Sequence, residues 1–174
     1  MNAWEPIAPI LDGAAGADDP AEACAPYALT RPAPDVRARP LIFASPHSGR
    51  VYPAAMMAAT RLPPLAIRRS EDAWVDRLIE AGPAHGATLL AAQLARVWFD
   101  VNREPWELDP AMFEGELPAY ARGRSARVAA GLGAIARIVS EGEEIYDRKL
   151  SFAEARDRVE GVHRPYHDAL ASLI

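Results

Sequence analysis

The chain of 174 residues has a single cysteine, a single lysine and no apolar run near the roughly 20 residues that span a bilayer. Each shortage excludes something. Cys24 alone can form neither an intrachain disulfide nor a cysteine zinc cluster, which fits a reducing cytoplasm. The apolar runs are too short for a membrane-crossing helix, and no basic segment leads into an apolar one at the N-terminus, as a signal peptide requires. Positive charge is also scarce: the net charge is −5 and the pI near 5.4, which argues against a nucleic-acid partner. Lys149 being the only lysine, arginine carries almost all the positive charge. Its planar fork grips carboxylates at two points, although an Ala- and Arg-rich composition also follows from genomic bias. Half the residues are hydrophobic and a quarter charged, ordinary for a globular chain long enough for one domain with a sizeable core.

What is present is organised around Pro40 to Pro53. Leu41-Ile42-Phe43-Ala44 is a short apolar run bounded by turn residues, the pattern of a buried strand. It breaks into Ser45-Pro46-His47-Ser48-Gly49, which puts His47 just past the carboxyl end of a strand, where open α/β sheets bind ligands. His47 reads there as a metal ligand or a catalytic residue. Residues 1–38, rich in Ala, Pro and Asp, read as an irregular segment that touches the core through Tyr27 and Leu29; residues 39–174 read as one α/β domain.

Further along, Pro63-Pro64 opens a helical region with Ser70 as a cap, and Val75, Leu78 and Ile79 fall at helical spacing up to Gly82-Pro83. Ala87–Ala91 reads as a second strand. Arg96–Val101 reads as a third, with Val97, Phe99 and Val101 on one face. A long mixed loop covers Pro105 to Arg124. The end of Val128–Val139 reads as a short strand, and Glu141–Leu150 as a helix. Ser151 and Glu154 have the capping-box spacing for a last helix, which Pro165 kinks or restarts.

Four groups can carry chemistry. His47 is the first. Glu71-Asp72 is the second: acids here offset the positive end of a helix or act as carboxylate metal ligands, since zinc takes His nitrogen and Asp/Glu oxygen. The third is Arg96-x-x-x-Asp100-x-Asn102-Arg103, where arginine pairs with a neighbouring acid or holds a substrate carboxylate beside a metal. The fourth is Arg137 with His163 and His167, which share a helix face at i, i+4 and are either two metal ligands or hydrogen-bonded helix histidines.

Together these pieces resemble the N-formylglutamate amidohydrolase (N-formylglutamate deformylase) family. They are Ser45-Pro46-His47-Ser48-Gly49 with Tyr52-Pro53, Glu71-Asp72-x-x-Val75-Asp76-x-Leu78, Asp100-x-Asn102-Arg103, Gly131-x-Gly133-x-Ile135-x-Arg137, Ile145-Tyr146 and Tyr166-His167-x-x-Leu170. The resemblance implies a three-layer α/β fold with flanking helices, like that of zinc-dependent carboxypeptidases and aspartoacylases. It implies a divalent metal, zinc by preference, on His47 and Asp72, with Glu71 as the alternative acid. Asn102, Arg103 and Ser48 would bind an N-acyl amino acid or other carboxylate, and Arg137 would be a second anion contact or stabilise the oxyanion. Family members run on into a further strand that carries another histidine. Beside a shortened hydrolase, in which His163 or His167 substitutes for that ligand, two readings therefore stand. One is a non-catalytic carboxylate-binding member. The other is a fragment completed by a neighbouring copy, a homo-oligomer.

Overall fold

The computed structural model describes residues 24–139 and 142–174. Three short strands form a sheet in the order β1-β3-β2: β1 (Tyr27–Thr30), β2 (Ile42–Ser45) and β3 (Thr88–Ala92). β2 runs parallel to β3, with Ser45 opposite Ala91; β1 is antiparallel to it, with Tyr27 opposite Ala92. β3 is buried from Leu89 to Ala92, as a central strand covered on both faces must be. A parallel pair needs a crossover, and the chain between β2 and β3 supplies it with helices α1 (Ala54–Ala58), α2 (Pro64–Ile67) and α3 (Val75–Leu78). The α/β class is the one the sequence predicts, in the form of a small mixed sheet with helices. No helix among the described residues is long and apolar enough to cross a membrane.

β2 ends one residue later than expected, which leaves His47 two residues beyond its carboxyl end. The turn that follows runs hard against the continuation of β3. Val51 N–H donates to the Gln93 carbonyl, and a Cβ on Gly49 would lie 2.2 Å from the Leu94 carbonyl oxygen. Only glycine allows the His47 turn to lie this close to its neighbour.

Several expectations are revised. Residues 1–23 of the N-terminal segment lie outside the described residues, and Tyr27–Thr30 is a strand rather than irregular chain. Tyr27 and Leu29 do pack against the core, alternating with exposed Ala28 and Thr30; the Tyr27 ring meets Tyr166 edge-on at 6.4 Å.

Arg96–Val101 is not a strand. Trp98 N–H bonds to Ala95, Arg103 N–H to Asp100, and Asp100 N–H reaches Ala134, so the segment is a chain of turns. Val97, Phe99 and Val101 are nevertheless buried, each worth roughly 2 kcal/mol in apolar burial. The alternation reports burial correctly and conformation wrongly.

The expected helix after Ser70 is one turn, α3. Ser70 donates its hydroxyl back to the Ile67 carbonyl and caps nothing, and Trp74 breaks the run with a left-handed backbone. The helix expected over Glu141–Leu150 is absent from Glu143 to Leu150, and Glu141 itself lies outside the described residues. Isolated bridges tie Glu144, Tyr146 and Leu150 to Ile138, Thr60 and Phe113. Buried Ile145, Tyr146 and Leu150 are drawn to the core along this path. The start of Val128–Val139 lies in a helix α4 (Ala126–Ala129), capped by Ser125, and its end, expected as a short strand, makes only single bridges at Ala136 and Ile138.

The C-terminal expectation is met more closely. Ser151 and Glu154 form the capping box that starts α5 (Phe152–Arg158). α6 (Arg164–Ala171) continues it after a wide π turn at Val159–His163. Pro165 has no N–H to give the Gly161 carbonyl and its ring crowds that oxygen, so the helix opens there instead of breaking.

Candidate active site

His47 is buried, with a carboxylate on each ring nitrogen: Nε2 lies 2.7 Å from Asp100 Oδ1 and Nδ1 lies 3.2 Å from Asp72 Oδ2. The backbone enforces this, since the Asp72 N–H donates to the His47 carbonyl. Asp100 is the hub. It also accepts from Arg96 at 2.9 Å and from the Asn102 N–H at 2.9 Å, and Arg103 Nε stands 3.9 Å away. Burial pushes the Asp100 carboxyl up. The His47 hydrogen bond and charge, the Arg96 charge and the Asn102 amide outweigh it, so its pKa is lowered. A second Arg96 nitrogen lies 3.5 Å from Asp72, so one guanidinium offsets both acids.

This arrangement separates the two candidate acids. Glu71 accepts from the Tyr52 hydroxyl and from Arg68, and its side chain is 3% exposed; Asp72 faces His47 with its side chain 50% exposed. Burial and then Glu71 raise the Tyr52 pKa well above the ordinary range, so Tyr52 stays a donor and Glu71 stays occupied. Of the pair, Asp72 is the acid with capacity for a ligand.

Neutral imidazole has one N–H. If Asp100 holds it on Nε2, the Nδ1 lone pair faces the Asp72 carboxylate, and two acceptors at 3.2 Å are stable only with a proton or a cation between them. The donor types are those of zinc. Catalytic zinc takes three protein ligands, and the described residues contain no group of three His, Cys, Asp or Glu placed to hold a metal. The donors fit in kind and fall one short in number.

The other predicted residues divide. Arg103 donates only a long bond to the Asn102 carbonyl, and its buried Nε has no hydrogen-bond partner. The Asn102 side chain is exposed beside it. Ser48 is buried with its hydroxyl against that of Ser45, inside the turn. His163 and His167 do not join His47. Their Nε2–H groups donate to the carbonyls of Arg103 and Val101, with the rings stacked at 4.2 Å, so they brace the loop that presents Arg103. Burial, then His167, lowers the His163 pKa. Arg137 is engaged elsewhere: Nε bonds Asp109 at 3.0 Å, Nη1 faces Glu144 at 3.6 Å, and it lines a cavity of about 230 Å³ with Arg61, Tyr146 and Arg148. A guanidinium committed to two carboxylates is a poor free donor for an oxyanion.

Two features of the site are not apparent from the sequence. There Asp100 is only a partner for Arg96, whereas in the fold it is the residue that orients His47. The Arg50–Asp76 pair, 2.6 Å apart, links the turns that carry His47 and Asp72. Asp76 belongs to a motif that supplies the site, whereas Arg50 falls just past the His47 motif, so their pairing shows only in the fold.

Two comparisons tie this chain to the amidohydrolases. Residues 39–174 match the family model described as N-formylglutamate amidohydrolase. The chain is similar to the crystal structure of N-formylglutamate amidohydrolase from Ralstonia eutropha JMP134, with 41% identity and a TM-score of 0.78 over 86% of this chain and 52% of that one. The chain belongs to the N-formylglutamate amidohydrolase family. It spans about half the length of that solved relative. No curated protein matches it.

Proposed function

We propose that this chain contributes to a hydrolase of an N-acyl amino acid, with N-formylglutamate as the first substrate to test. In such a reaction water adds to the acyl carbon, the C–N bond breaks, and the departing nitrogen takes a proton. The observation that carries the reading is His47, held between Asp100 and Asp72 at the end of β2. Asp100 keeps the proton on Nε2 and aims the ring, as a carboxylate behind a metal-bound histidine does. Arg103, whose Nε lies inward near Asp100, binds the substrate carboxylate through its terminal guanidinium nitrogens, and the exposed Asn102 amide completes the grip. A histidine at the end of a parallel strand suits the carboxypeptidase- or aspartoacylase-like architecture expected from the motifs. His47 Nδ1 and Asp72, with a third donor from outside the described residues, would hold a divalent metal. A bound metal of this kind polarises the scissile carbonyl and acidifies water.

The test is formate release from N-formyl-L-glutamate with added zinc, beside zinc affinity measured by competition with a coloured chelator. His47→Ala is expected to abolish zinc binding. Arg103→Ala is expected to leave it intact while weakening binding of N-acyl glutamates. Undiminished zinc in the first variant, or equal ligand affinity in the second, overturns the assignment. Binding without hydrolysis would favour the second reading, a carboxylate-binding member. Arg103 and the exposed Asn102 side by side support binding whether or not chemistry follows.

A further inference from the structure

Trp74 is the one described residue other than glycine with a positive φ. At φ 67°, ψ 7° it is the third residue of a turn from Asp72 to Val75, closed by Val75 N–H on the Asp72 carbonyl. That is the place in a type II turn where glycine or asparagine belongs, because a Cβ meets the backbone there. A bulky aromatic held so persists where its surroundings impose it, and such strain gathers at ligand sites.

Its surroundings do impose it. The Arg50 guanidinium sits 5.0 Å from the ring centroid, anchored in turn by Asp76. The ring nevertheless gains little from packing, since Trp74 is 49% exposed. Strain plus exposure is the opposite of what a packing residue shows. Arg50 follows His47 by three positions and Trp74 follows Asp72 by two, so the clamp ties the turn that carries His47 to the turn that carries Asp72.

We propose that Trp74 is a specificity-determining wall of the substrate cleft, its exposed face closing the space beside Asp72 where the acyl group lies, so that small acyl groups are admitted and longer ones are not. This rests on the N-acyl amino acid reading above. An apolar wall of this kind discriminates a chain one or a few methylenes longer by about ten- to a hundredfold.

The test is calorimetric titration of the full chain with N-formyl-, N-acetyl- and N-butyryl-L-glutamate, together with thermal unfolding. Trp74→Gly removes the wall and suits the backbone. Its preference for formyl over butyryl is expected to fall about tenfold or more, with no loss in unfolding temperature. Trp74→Phe is expected to keep the preference, and Arg103→Ala to weaken all three ligands alike. An unchanged preference in Trp74→Gly, with binding still dependent on Arg103, overturns the role of Trp74 alone. A drop of several degrees in the unfolding temperature of Trp74→Gly with unchanged preference marks a packing residue and overturns that role equally. No binding of any of the three by wild type at millimolar concentration overturns the substrate reading and this inference with it.

Discussion

Two regions of the molecule are built from the same residue types and behave differently. Around Asp100, two acids, a histidine and two arginines meet in a largely buried place, and the pairing is incomplete: Arg103 Nε makes no hydrogen bond and only a 3.9 Å approach to Asp100, and His47 Nδ1 lies against the half-exposed Asp72 carboxylate. Around the cavity near Arg137, arginines and acids also alternate, but the pairing closes. Arg137 has Asp109 and Glu144, Arg61 has Glu144, and Arg148 has Glu154, which in turn caps α5 through Ser151. An arginine–carboxylate cluster thus points to function through its spare capacity, and a cluster whose forks are filled is there to hold loops together.

The sharpest way to break this contrast is Asp100→Ala. It strips the shared partner from His47, Arg96 and Arg103, and is expected to cost about 3 kcal/mol of stability, read from the urea midpoint. A loss below about 1 kcal/mol would mean the cluster is far better solvated than its geometry implies. Next come the two arginines. Arg103→Ala should weaken glutamate-type ligands about ten- to a hundredfold, whereas Arg137→Ala should change that affinity less than about threefold. A reversed order would move the anion site to the cavity.

Smaller effects test the closed side. Ser151→Ala should cost about 1 kcal/mol through the lost cap, with ligand affinity unchanged. Glu154→Gln should cost about 0.5 kcal/mol at neutral pH, the modest worth of a part-exposed pair. The Arg148 hydrogen bond, helped by Ser151 and opposed by burial, holds the folded pKa of Glu154 down to about 2, against an ordinary 4.5. Its contribution is therefore whole above pH 4.5 and is lost as pH falls towards 2. Urea midpoints of wild type and Glu154→Gln should differ at about pH 6 and converge on acidification. A gap that widens would contradict the sign.

How much of this is legible in the sequence follows a physical line. β2, the His47 turn, β3 within a residue and the Ser151 cap are specified by neighbours in sequence: apolar runs, turn residues, the reciprocal hydroxyl and carboxylate of a capping box. Arg96–Val101 misleads because alternation reports which side chains are buried, and a run of turns can bury alternate residues as a strand does. The bridged path near Tyr146 looks helical in sequence because its partners, Thr60 and Phe113, are remote. In the site, the residues are legible and the roles less so. Whether Glu71 or Asp72 is available depends on Tyr52 and Arg68 reaching the first and not the second. Whether Arg137 is free depends on Asp109.

The wide turn at Val159–His163 has one more consequence. An α-helix advances about 100° per residue, so a turn that takes in one extra residue re-phases everything after it by that angle. The two stacked imidazoles meet the carbonyls of Val101 and Arg103 in this phase. A one-residue deletion at Gly161 would leave the cap of α5 intact and swing both rings off the loop that presents Arg103. The angular setting of a helix end thereby governs the loop that presents Arg103, some 60 positions earlier in the chain.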